Sequence, residues 1–241
     1  MVIPRSSSHV AKPSLRQKVS AELIGTFFVT LVPTVVDIGY YTGEHVDYVS
    51  RWLARGFITI ALIYALSAVS GAHINPAVSL GFAVRRAMSV KLLCWYWAAQ
   101  FLGAFGAAAL TRVLFGSLLL LGASHVGSRF TYIQATITEI ILTFLVMLVI
   151  FGCAEEQAII GKQGAVAIGL TIAACGFFAG PISGASMNPA RSIAPQILGG
   201  AIDQTWIYVA GPFAGAAAAA FAARLLFGEP DSGERKAAQG G

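Results

Sequence analysis

Ser70-Gly71-Ala72-His73-Ile74-Asn75-Pro76-Ala77-Val78-Ser79 and Ser183-Gly184-Ala185-Ser186-Met187-Asn188-Pro189-Ala190-Arg191-Ser192 decide the fold. They share Asn-Pro-Ala, and seven of the twelve positions 70–81 and 183–194 are identical. The second stretch follows the first at close to half the chain's length. Asn is a strong N-cap, because its side-chain oxygen accepts from the first free backbone N–H groups of a helix. Pro suits the next position, where its missing N–H costs nothing. Short helices are therefore predicted over 75–84 and 188–198. Ten residues at ~1.5 Å each reach ~15 Å, half of a ~30 Å hydrocarbon core. Both stretches lie in very apolar sequence, so they read as half-helices ending mid-membrane. Irregular backbone at that depth must be buried in protein or line a wet cavity. Each helix N-terminus carries roughly half a positive charge, so two meeting at the midplane would repel cations from such a cavity.

The composition agrees. Of 241 residues, 56% are hydrophobic and 11% charged, with mean hydropathy +0.73. Soluble domains carry about 25% charged residues. Eleven of the sixteen Lys and Arg, Arg5 and Lys162 among them, fall in segments that the topology puts on one side. That is a positive-inside bias, and it argues against a nucleic-acid partner for the net charge of +5. Cys94, Cys153 and Cys175 lie in or beside apolar spans without metal-ligand spacing, so no metal and no disulfide is expected. No nucleophile constellation or phosphate-binding loop stands out, so neither an enzyme nor a cofactor is expected.

Six apolar stretches are long enough to span a bilayer: 20–41, 52–70, 92–115, 132–152, 164–182 and 204–227. Residues 1–18 read as a polar cytoplasmic tail without a signal peptide, and 229–241 as a second cytoplasmic tail. The membrane-embedded core is 19–228, in halves 19–115 and 132–228. A cytoplasmic loop holds Glu155, Glu156 and Lys162, and the tails hold Ser6, Ser7, Ser8 and Ser232, regulatory sites or simply solvated serines. The halves repeat beyond the triplets: 21–31 and 138–148 match at six of eleven positions, including Glu22 and Glu139. With three spans per half, the second half enters the membrane inverted, an arrangement found in transport proteins with sites at the midplane.

These motifs resemble the major intrinsic protein family, the aquaporins and glycerol facilitators, over about 19–228. The resemblance rests on both triplets, Arg191 after the second, a Glu in the first span of each half, and Ala99-Gln100 before Gly103. It implies an all-α membrane protein: an aquaporin-like bundle of six transmembrane helices plus two re-entrant half-helices, with an inverted internal repeat. It implies passive flux of water and small uncharged solutes such as glycerol, urea or boric acid, in a homotetramer in a plasma or bacterial inner membrane.

The resemblance also assigns residues. Asn75, Pro76, Ala77 and Asn188, Pro189, Ala190 form the pore triplets, with both Asn amides donating into the lumen. Arg191 belongs to an outer constriction; an arginine inside a membrane costs about 2.5 kcal/mol or more and faces a cavity. Glu22 and Glu139 accept from backbone N–H groups of the re-entrant loops, with a proton relay as the alternative. His73 either lines the pore or supports its loop. The selectivity filter falls on Arg55, Gly176, Ala185 and Arg191. Arg55 either fills the space that Gly176 and Ala185 leave or points away toward Asp47 or the outer surface; a slip of one turn would put Trp52 in its place. Ser192 after Arg191, Tyr208-Val209 and the run 179–187 resemble the plant nodulin-like branch, which favours a permissive pore over a strict water channel. Proton-coupled transport through Glu22 or Glu139, and a pore closed by Arg55 with Arg191, are the competing readings.

Overall fold

The computed structural model describes residues 12–44, 46–154 and 163–240. Arg5, Ser6, Ser7, Ser8, Glu155, Glu156 and Lys162 lie outside the described residues. Among the described residues, six helices are long and apolar enough to cross a membrane. The first half contributes α1 (Leu15–Thr42), α2 (Tyr48–Ser70), the short α3 (Pro76–Val84) and α4 (Val90–Phe115). The second contributes α5 (Tyr132–Ala154), α6 (Gly164–Ser183), the short α7 (Pro189–Gly199) and α8 (Ile207–Phe227). A last helix, α9 (Ser232–Gln239), follows.

Local chemistry sets the helix starts. Ser14 and Gln17 form a reciprocal capping box, which starts α1 at Leu15, within the segment read as a tail. Asp47 caps α2 by accepting from Ser50 N at 2.8 Å and Ser50 Oγ at 2.9 Å. The Ser50 N–H holds this carboxyl below its ordinary range. Asn75 and Asn188 cap α3 and α7, with proline at the first turn of each. Both half-helices thus begin where the triplets predict.

The packing repeats between the halves. In the first, α1 packs on α2 and α4; in the second, α5 packs on α6 and α8. Each half-helix also reaches across, α3 onto α8 and α7 onto α4. The halves meet where α2 crosses α6. Gly56 and Gly169 are equivalent positions of the two halves, related as Asn75 is to Asn188, and they face each other at this crossing. A Cβ on either would come 2.6 Å from the other's carbonyl oxygen. Lipid supplies no hydrophobic drive between helices, so close backbone contact of this kind holds them together.

The polar C-terminal stretch folds back as α9 against α2 and α5. Its Glu234 pairs with Arg85, the C-cap of α3, and both side chains are fully buried. Gln239 Nε2 donates to Ala87 O at 2.8 Å. No apolar periodicity in 229–241 announces this docking, because both partners belong to the far half of the chain.

Candidate functional site

The re-entrant loops before the two triplets carry the same unusual backbone. Ala72 and Ile74 have φ of 51° and 45°, and Ala185 and Met187 have 44° and 55°. Left-handed conformations at non-glycine residues, a β-branched one among them, store about 1–3 kcal/mol each and persist only under strong constraint. Glu22 supplies that constraint in the first half. Its Oε1 accepts from Ser70 Oγ at 2.6 Å and His73 N at 2.9 Å, and its Oε2 from Ile74 N and Gln100 Nε2, each at 2.7 Å. Glu139 does the same in the second half, accepting from Ser183 Oγ at 2.7 Å, Ser186 N at 2.8 Å and Met187 N at 2.7 Å. Tyr96 and Tyr208 close the pattern, their hydroxyls donating to Ser70 O and Ser183 O at 2.7 Å. Neither glutamate is among the residues lining the cavity described next.

The two loops bring Asn75 and Asn188 together. Each side-chain oxygen accepts from its own helix: Asn75 Oδ1 from Ala77 N at 2.8 Å, Asn188 Oδ1 from Ala190 N at 3.1 Å and Arg191 N at 3.3 Å. Each amide nitrogen donates to the other half: Asn75 to Met187 O at 2.8 Å, Asn188 to Ile74 O at 2.9 Å. An amide NH2 carries two hydrogens. The cross-half bond uses one and leaves one on each Asn for whatever occupies the cavity.

That cavity has a volume of about 290 Å³, against the ~10–15 Å³ one water needs on the same measure. Asn75, Asn188, His73, Arg55, Ala185 and Arg191 all line it. Ile63, Val78, Phe82, Val146, Ile168 and Ile172 contribute apolar wall. His73 faces the cavity and is tied to the half-helix that follows it. Its ring lines the cavity, stacks on Phe82 with centroids 4.8 Å apart, and shares a hydrogen bond between Nδ1 and Ser79 Oγ at 2.9 Å. At the end that carries α9, Ala237 lies on the cavity wall.

The opposite end holds the two arginines. Arg55 does not turn toward Asp47. Its NH2 donates to Asp37 Oδ2 at 2.5 Å, and its NH1 to Gly184 O at 3.1 Å and Ala185 O at 3.4 Å. Arg191 NH2 donates to the same Asp37 oxygen at 2.8 Å, and Arg191 NH1 binds Ser124 Oγ. Arg51 Nε takes the other Asp37 oxygen at 2.6 Å. Asp37 lies within the first span, and an ionisable residue there points to a site by default; its position was the signal that sequence reasoning passed over. Ser124 was also missed. It ties the segment before α5 to α7, binding Arg191, Ser192 Oγ at 2.7 Å and Gln196 Nε2 at 2.9 Å.

Gly176 stands apart from the other expected filter residues: it does not line the cavity. The Trp52 ring lies across it, and a Cβ there would sit 2.0 Å from a ring carbon. Trp52 itself is fully buried and not in the lining. Its ring carries the Arg55 guanidinium at 4.2 Å.

The model of the family described as "Major intrinsic protein" matches residues 9–223. The rice protein "Aquaporin NIP1-3" is 39% identical over 213 residues, covering 87% of this chain and 73% of its own. The Arabidopsis thaliana protein "Putative aquaporin NIP4-1" is 36% identical over 215 residues, covering 88% and 75%. Among solved structures, the aquaglyceroporin from Plasmodium falciparum superposes with a TM-score of 0.79 at 23% identity, covering 87% of this chain and 96% of that one. That likeness shows the fold: six spanning helices and two half-helices. With a family model that spans most of its length and relatives this similar over most of theirs, the chain belongs to the major intrinsic protein family.

Proposed function

We propose that the protein is a passive channel for water and small uncharged solutes of the size of glycerol, urea or boric acid. The observation that carries this reading is the cavity itself, on which both half-helix N-termini converge between a paired-arginine end and a histidine end. The names of the two relatives reported above, both given as aquaporins, support it.

In this reading the solute path runs through the cavity. At mid-path, the free hydrogens of the Asn75 and Asn188 amides face a passing water and turn its oxygen toward them. A water with its oxygen held so cannot accept and pass on a proton along the file. The two helix N-termini add positive potential, which opposes hydronium and metal cations. Arg55, Ala185 and Arg191 form the outer selectivity filter. The small Ala185 leaves width, and the guanidiniums supply donors to hydroxyl or carbonyl oxygens. Gly176 serves this filter from behind, by giving Trp52 room. Glu22 and Glu139 hold the loops and take no part in proton movement. Both termini face the cytoplasm of a plasma or bacterial inner membrane, and four protomers assemble as a homotetramer.

Stopped-flow light scattering on purified protein in liposomes tests the reading. An impermeant sugar should give fast shrinkage, and glycerol should give shrinkage followed by fast re-swelling. Rates no faster than those of empty liposomes in both shocks would refute a channel. Flux that requires a pH gradient would replace it with a proton-coupled transporter.

A further inference from the structure

Three guanidiniums converge on one carboxylate at the paired-arginine end of the cavity. Asp37 is 2% exposed, and its two oxygens accept from Arg51, Arg55 and Arg191. Arg55 and Arg191 share a single oxygen, at 2.5 and 2.8 Å, so two like charges stand on either side of one atom. Nothing else among the described residues offers these groups a formal negative partner. Arg191 has other anchors in Ser124 and the Gly122 carbonyl. Among the described residues, Arg55 has only the carbonyls of Gly184 and Ala185 and the face of Trp52 besides.

The surroundings explain why that matters. The Nε atoms of Arg55 and Arg191 are buried and have no hydrogen-bond partner among the described residues. Both side chains line the cavity. So do Thr59 and Ile63, one and two turns further along the Arg55 face of α2. A released Arg55 would have open cavity to swing into along its own helix face. Repulsion from Arg191 would drive it there, because like charges this close in a poorly solvated site repel strongly.

We propose that Asp37 is a specificity-determining residue of the channel, acting as a positioning residue. It clamps Arg55 beside Arg191 on one wall, which keeps the lumen wide enough for solutes larger than water and presents two arginines as one fixed set of donors. The proposal rests on the reading of the cavity as the solute path. It assigns selectivity to a carboxylate on the first helix, a helix outside the four filter positions that the family resemblance picked out.

The test compares glycerol and water permeability in liposomes for the wild type, Asp37→Asn, Asp37→Glu and the double variant Asp37→Asn with Arg55→Ala. Asp37→Asn should cut glycerol permeability by about ten-fold or more while water permeability falls much less. The double variant, which removes the arm that swings in, should restore glycerol flux. Asp37→Glu keeps the charge but pushes both guanidiniums by a methylene, so it should lower the glycerol-to-water ratio in the same direction and by less. A loss of both fluxes in equal proportion, or no recovery in the double variant, would overturn the proposal. Should Asp37→Asn lose its monodisperse peak in size exclusion, the ratio in Asp37→Glu decides, and an unchanged ratio refutes. A wild type that passes water without glycerol also refutes it while leaving the channel reading standing. A wild type that passes neither refutes the channel reading itself.

Discussion

Arg85 and Glu234 form a fully buried two-armed ion pair that ties the first half-helix to the last helix of the chain. Arg85 Nε donates to Glu234 Oε1 at 2.8 Å, its NH2 to Oε2, and its NH1 to Gly228 O at 2.9 Å. The cation sits at the C-terminus of α3, where the helix dipole favours it. Breaking one side of a buried pair costs about 3–5 kcal/mol. α9 is only one short helix held outside the bundle's own elements, so Glu234→Gln should loosen it and leave the bundle folded. Trypsin should then cut faster after Arg235 and Lys236. Since Ala237 leaves the cavity wall with α9, water flux should rise in the same variant.

Glu22→Gln and Glu139→Gln should both destabilise. Each amide turns one acceptor oxygen into a donor that faces a loop N–H, Ile74 or Met187 in one orientation. Hydrogen bonds to a charged group contribute about 1.5–3 kcal/mol, and the left-handed loop residues depend on them. A lower midpoint of heat-induced aggregation is expected for both. Flux in whatever folded fraction remains should not depend on a pH gradient.

Gly176→Ala separates packing from pore lining. The added methyl would overlap the Trp52 ring, and forcing a methyl into a packed site costs about 1–3 kcal/mol. A clear fall in thermal midpoint is expected. An unchanged midpoint with a lower glycerol rate would instead put this position in the lumen.

Asn75→Ala and Asn188→Ala should lower stability by similar amounts, about 1–2 kcal/mol for each lost cap. Each also loses its bond to the opposite loop, at 2.8 and 2.9 Å. Thermal midpoints of the two variants measure this directly. A large asymmetry between them would show that the two halves do not bear the junction equally.

Much of this molecule is legible in the order of its amino acids. Capping and proline preference act within a few residues, so the two triplets alone predict half-helices, which start at Pro76 and Pro189. Apolar length is also a local property, and the six spans follow from it. The inversion follows from an odd number of spans per half. The strained loop backbone is not legible, because Ala72, Ile74, Ala185 and Met187 adopt positive φ only under constraint from glutamates on distant helices.

The partners of the charges belong to the tertiary structure as well. Asp47 is nearer to Arg55 in the chain than Asp37 is, yet Asp47 is occupied at its own helix cap and Asp37 takes the arginine. The antiparallel packing of α1 on α2 decides that, since it lays Asp37 beside Arg51 and Arg55 and lets α7 bring Arg191 to the same oxygen. Counting along a helix does not say what Gly176 faces, and the ring of Trp52 takes the space in front of it. Near neighbours along the chain are enough to predict where helices start, how many are long enough to cross a membrane and which residues recur in both halves. Which carboxylate holds which arginine, which residue faces the cavity and where the C-terminal helix docks were decided only by the packed bundle, because each depends on side chains brought together from opposite ends of the chain.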